Sequence, residues 1–172
     1  ATTTQSNNLG EAIRHHHATG TKTEIFFIGG EANNISPDIR RLAYNNSASV
    51  QVSFNQLNNA RNHAAIAGNG EECVVFEGED ASGNPVTQNE KVLLRDTISV
   101  RLMTHQLTAN RSKADGCSDG QSAIIAGGVH PSTLFEYNTV EKMRFDDLVD
   151  VVVLSNPMTN PGYWSTIATD ST

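Results

Sequence analysis

The sequence predicts an α+β fold, an antiparallel sheet of about six or seven strands with two C-terminal helices covering one face. Two observations carry this. Alternating apolar and polar stretches dominate the chain up to residue 137, with KVLLRDTISVRLM (91–103) the longest. Helix-type punctuation then appears only in NTVEKMRFDDLVDVVVLSNP. The chain has 172 residues, 37% hydrophobic and 18% charged, which suits a single domain over residues 1–172 with long polar loops. No internal repeat is evident.

In chain order, TEIFFIGG (23–30) is expected to be a short strand closed by its glycines. SPDIRRLAY (36–44) looks like a helical turn, with Ser36 as N-cap and Pro37 at the first helical position. SVQVSF (49–54) alternates as a half-buried strand does, whereas QLNNARNHAAIAG fits either a strand or a loop. CVVFEGE (73–79) is a strand, and DASGNPVTQNE is a connection rich in turn residues. Residues 91–103 form one long strand with two faces. Val92, Leu94, Ile98, Val100 and Leu102 lie on one side, broken only by Asp96; Arg95, Thr97, Ser99 and Arg101 lie on the other. THQLTANRSKADGCSDGQS reads as a long loop and STLFEY (132–137) as a strand. Asn138 with Glu141 then has the spacing of a capping box, and Val140, Met143, Leu148, Val151 and Val152 fall near one helical face. The valine run 151–153 keeps a strand there as a rival. GYWSTIATDST is expected to add a short closing helix.

Net charge is -7, unlike the basic balance of a generic nucleic-acid binder. Residues 91–113 nevertheless hold Lys91, Arg95, Arg101, Arg111 and Lys113 against Asp96 alone. The polar start ATTTQSNNLG lacks the apolar core of a leader, and no apolar run is long enough to cross a bilayer. These features predict a soluble chain. Cys73 and Cys117 are the only cysteines, too few for a zinc site, and are read as free thiols or as partners in a disulfide within or between chains. The run His15-His16-His17 is read as solvated polar chain, since adjacent residues share no face on which to hold a metal. His63, His105 and His130 stand in no catalytic signature. No catalytic residues, cofactor or metal site is expected, and the chain is read as a non-enzyme. On pattern alone the arginine side of 91–103 is also consistent with the wet face of any antiparallel sheet.

From residue 72 onward the order of features resembles the coat proteins of single-stranded RNA bacteriophages. ECVVFEG and KVLLRDTISVRLM resemble two adjacent strands of that family, THQLTANRSKADGCSDGQSAII its long loop, HPSTLFEY the following strand, and the last segments its two helices. The resemblance implies a sheet completed by dimerisation and self-assembly into an icosahedral shell around a single-stranded RNA genome. The particle would form in a bacterial host's cytoplasm and make no membrane contact. It assigns RNA contacts to Arg95, Thr97, Ser99 and Arg101, and an intersubunit disulfide to Cys117 or Cys73. A minor pilin or pseudopilin headpiece is the alternative, drawn from SPDIRRLAY as a helix end and a sheet closed by a disulfide.

Overall fold

A computed structural model describes residues 12–44, 51–53, 55–95, 97–146, 151–155 and 158–162. The described chain is all-β. Its twelve strands are β1 (His17–Gly20), β2 (Glu24–Ile28), β3 (Ile39–Ala43), β4 (Gln51–Val52), β5 (Ala65–Gly68), β6 (Glu72–Phe76), β7 (Glu90–Leu93), β8 (Ser99–Leu102), β9 (Asp115–Ser118), β10 (Ser122–Ala126), β11 (Val140–Arg144) and β12 (Val152–Val153). They form three four-stranded sheets, each a meander in which successive strands pair antiparallel. The sheets are blades set side by side, with β1 packed on β5 and β5 on β9.

This arrangement overturns the α+β expectation and reveals a repeat that residue identity hides. Gly29-Gly30, Glu77-Gly78 and Gly127-Gly128 all follow the second strand of a blade, at spacings of 48 and 50 residues. That period matches a blade of a β-propeller. Beyond blade three, the Met158 N–H donates to Asn138 O as the Leu57 N–H does to Pro37 O. Met158–Gly162 thus sits where a next repeat would begin.

The expected C-terminal helix fails at Glu141. Helical reasoning places Glu141 in solvent as a cap, but it is fully buried, and Glu141, Met143 and Phe145 alternate inward with Lys142 and Arg144 between them. The period is two, and Val152–Val153 pairs beside it as the outer strand. The expected turn at 36–44 is likewise β3, while 132–137 is a loop. The stretch 91–103 is not one strand. It folds back between Leu93 and Ser99 as the β7–β8 hairpin, with Val92 facing Val100 and Lys91 facing Arg101. Asp96 and the expected closing helix beyond Gly162 lie outside the described residues.

Two apolar layers hold the blades together. Phe26 and Ile28 of blade one meet Ile66, Cys73, Val75 and Val92 of blade two. The opposite face of blade two, through Ala67, Val74 and Phe76, meets Ile125, Met143 and Phe145 of blade three. Alternation along the strands sends neighbouring residues into different layers, so β5 and β6 are apolar on both faces. The matching outer face of blade one, with Ile25, Phe27, Leu42 and Tyr44, is less covered, and Tyr44 is 53% exposed. The inner strands approach so closely that side chains would collide: a Cβ on Gly116 would lie 2.5 Å from Ile66 O.

Polar chemistry closes each blade. Arg61 and Arg111, 0% and 1% exposed, pair with the fully buried Glu90 and Glu141. Arg61 Nη1 donates to Glu77 O (3.1 Å) and Gln88 O (2.7 Å); Arg111 Nη1 makes the equivalent bonds to Gly127 O (3.0 Å) and Thr139 O (3.5 Å). Glu90 accepts the Asn58 N–H at 2.7 Å, and Glu141 the Thr108 N–H at 2.9 Å. Blade one holds Ile13 and Arg40 at these two positions, and Arg40 pairs with Asp38 at 2.9 Å.

Glu77 departs from the repeat. It occupies the first glycine position at φ 39°, is 1% exposed, and accepts the Arg111 N–H on Oε2 while Oε1 has no hydrogen-bond partner. Burial pushes its carboxyl up to about 8, against the lowering effect of the Arg111 N–H.

Arg111→Ala strands the buried Glu141 carboxylate and is expected to cost about 3–5 kcal/mol in urea unfolding. A second expectation concerns Glu77. Its folded-state carboxyl binds a proton that the unfolded chain gives up near its ordinary 4.5. Its contribution is therefore fully present below about 4.5 and is lost as pH rises through about 8. Glu77→Gln is expected to remove that loss, so the stability difference between variant and parent grows across this window.

Candidate functional site at one end of the blades

The first strand of each blade begins, and the second ends, at the same end of the molecule. Loops leading into β1, β5 and β9 therefore meet the β2–β3, β6–β7 and β10–β11 loops there. His15, His63 and Lys113 hold equivalent positions two residues ahead of those strands, with φ of 54°, 52° and 55°. Left-handed backbone costs a non-glycine residue roughly 1–2 kcal/mol. Lateral bonding offsets it here. The His63 N–H donates to His15 O (3.4 Å) and the Lys113 N–H to His63 O (2.9 Å), a backbone ladder running from blade to blade. A second ladder is parallel to it: Gly30 N–H to Arg61 O (3.0 Å), Gly78 N–H to Arg111 O (3.4 Å) and Gly128 N–H to Gly162 O (2.8 Å).

The side chains on this row form one polar cluster. The His15 and His63 rings lie 4.1 Å apart, tilted by 42°. Glu31 and Glu79 stand beside them at equivalent bridge positions, where blade three has Val129. Glu31 meets Arg14 Nη2 (2.9 Å), His15 Nδ1 (3.6 Å) and Asn62 Nδ2 (3.4 Å). Glu79 meets His63 Nδ1 (3.3 Å), Ser112 Oγ (2.5 Å) and Lys113 Nζ (3.8 Å). The hydrogen bond from Arg14 holds the Glu31 carboxyl below its usual range. Burial, with His15 and Lys113 nearby, lowers the His63 imidazole. His17, deeper along the inner strand, is pushed by burial to about 4. A groove adjoins this cluster through Glu31 and Glu79, between residues 31–35 and 79–83, and is further lined by Asn33, Asn34, Asn62 and Asp80. On the blade-three side the β10–β11 loop carries Leu134 and Phe135, 68% and 65% exposed.

The residues predicted as an RNA-facing stripe lie elsewhere. Arg95 and Thr97 are in the β7–β8 turn, and Ser99 and Arg101 on β8, the outermost strand of blade two. All four are exposed, but the turn separates the first two from the strand that carries the others. Arg95 lines a groove with Lys22, Glu24, Asn69 and Glu71 at the opposite end from the histidines. Cys73 is fully buried between blades one and two, and Cys117 half-buried on β9; both thiols are free. Cys73 has no route to another subunit without the two blades parting. Sequence reasoning set the histidine run aside because consecutive residues share no face. What it missed is the contact between His15 and His63, 48 residues apart, which only the repeat makes visible.

No protein-family profile matches this sequence, and no curated protein matches it. Among solved structures the chain is similar to YjhT, with a TM-score of 0.79 at 8% sequence identity. The match covers 95% of this chain and 61% of that one, so the chain spans about three fifths of the YjhT structure. At that identity the likeness speaks for the fold alone.

If the left-handed backbone at position 63 serves the ladder, glycine there is expected to be tolerated. His63→Gly should change unfolding free energy by less than about 1 kcal/mol, since relieved strain offsets the added chain entropy. His63→Val, β-branched, should cost about 1–2 kcal/mol more than the glycine variant. Equal stabilities would refute this role.

Proposed function

We propose that this chain is a binding domain, three blades of a propeller that take a neutral ligand rich in hydroxyl or amide groups over His15, His63 and Lys113. The observation that carries this is the row itself. One position in three successive repeats brings imidazole, imidazole and ammonium side by side, interleaved with two carboxylates that also line the adjoining groove. Propellers place such loops around a common axis, where side chains from different blades converge.

The charges select the ligand class. Arg14 balances Glu31 and Lys113 balances Glu79, so the carboxylates of the row are already paired, and Asp80 on the groove wall is the acid left over. The cluster offers alternating donors and acceptors, supplemented by Asn33, Asn34 and Asn62 in the groove. Leu134 and Phe135 supply an apolar edge for a ligand with a nonpolar part.

The shell-protein reading drew its support from one continuous arginine-bearing sheet under two helices. Blades with Arg95 and Arg101 parted by a hairpin turn leave it without that support. Cys73 and Cys117 do not pair with each other. The same thiols remove the disulfide from the pilin-headpiece alternative.

Amide and imidazole NMR spectra recorded against a panel of neutral saccharides, simple amides and short uncharged peptides test the proposal. At least one class is expected to shift signals of His15, His63 and Lys113 together at millimolar concentration, and His63→Ala to abolish the response. A panel that leaves those signals unmoved, or moves only residues at the far end around Lys22 and Arg95, would overturn it.

A further inference from the structure

We infer that the stacked His15–His63 pair is an acid-operated latch on the seam between the first two blades, so that protonating both rings loosens this end of the molecule and releases whatever the site holds. As a statement about ligand release this rests on the binding reading above; as a statement about the seam it does not.

The two imidazoles belong to different blades and touch at 4.1 Å between centroids, with His63 only 11% and His15 31% exposed. Neutral rings at that separation attract through dispersion. Two imidazolium rings repel in a setting where water screens them poorly. The remaining groups around the pair do little to absorb new positive charge. Glu31 lies 3.6 Å from His15 Nδ1 and Glu79 3.3 Å from His63 Nδ1, but each carboxylate is already shared with a second cation, Arg14 and Lys113, and with Asn62 or Ser112. Lys113 itself and, through blade one, Arg14, His16, His17 and Arg40 add positive or protonatable neighbours; Asp115 on β9 and Asp80 on the groove wall are further acids near the row. A doubly protonated pair turns a balanced cluster into one with two excess positive charges.

The direction of the effect follows from the folded state binding fewer protons. Burial is the leading cause holding His16, His17 and His63 below the ordinary imidazole value of 6.5. The destabilisation is absent above about 6.5, grows as pH falls, and for His17 is complete below about 4. It acts first where the blades are joined by few bonds. At this end those are the His63 N–H to His15 O bond, long at 3.4 Å, the Gly30 N–H to Arg61 O bond, and the equally long Asn62 Nδ2 to Glu31 bond. The apolar layer beneath, from Phe26 to Val75, carries no charge and is indifferent to pH.

Amide hydrogen exchange on the ligand-free chain tests the latch, with rates corrected for the intrinsic pH dependence of exchange. Between neutral pH and about pH 5 the His63 and Gly30 amides are expected to lose protection by about tenfold or more, while amides within the β5–β6 ladder keep theirs. His15→Gln and His63→Gln, each leaving one imidazole of the pair, should hold the seam closed at the lower pH. Protection at His63 and Gly30 that stays constant, or that falls equally in both glutamine variants, would overturn the inference. Since no ligand is present, a failed binding screen leaves this result untouched, and a seam that ignores pH leaves the binding proposal standing.

Discussion

The buried arginine–glutamate pair is the interaction on which each repeated blade depends. A guanidinium and a carboxylate removed from water are expensive, and their attraction offsets the cost only when every remaining donor and acceptor is met. Arg61 and Arg111 nearly meet that condition by spreading their N–H groups over two backbone carbonyls besides the carboxylate. Glu90 and Glu141 use their spare lone pairs on N–H groups of the preceding loop, at Asn58, Asn59 and Thr108. One ion pair thereby ties the segment leading into a blade to that blade's second and third strands. The loop's backbone would otherwise be buried without partners.

With the lead-in segments anchored, the two backbone ladders follow. They require left-handed residues at two places per repeat: a glycine or Glu77 after the second strand, and His15, His63 or Lys113 ahead of the first. The row of side chains at the end of the blades is a consequence of that requirement. A position whose backbone is dictated by blade-to-blade bonding leaves its side chain free to vary, which is how one fold can present different chemistry at one place. Here the free choice has been spent on two imidazoles and an ammonium.

Much of the strand content was legible. EIFFI, ECVVF and QV read as strands because their apolar and polar residues alternate or run continuously between turn residues. One physical origin of the errors is the assumption that charge faces water. Glu90, Lys91, Glu141 and Arg40 are all buried. Treating Glu141 as a solvated cap turned a period of two into an apparent helix, and reading Ser36-Pro37 as a helix start did the same for β3. In KVLLRDTISVRLM the unbroken alternation concealed a turn, because a hairpin whose arms pack on the same layer preserves alternation across the fold-back. The candidate site was less legible still. Its histidines were noticed, but their meaning lies in a repeat whose three blades share a glycine after the second strand, with the arginine and glutamate common only to blades two and three.

By itself the sequence determined where strands could form, which glycines end them, and that loops between them are long and polar, since those depend on local periodicity and turn chemistry. Tertiary structure alone decided that the strands sort into three equivalent blades, that particular charges go inside, and that His15 meets His63. Those outcomes depend on which buried groups find partners in distant segments, and a carboxylate carries no local mark of whether its guanidinium is in solvent or 30 residues away in the core.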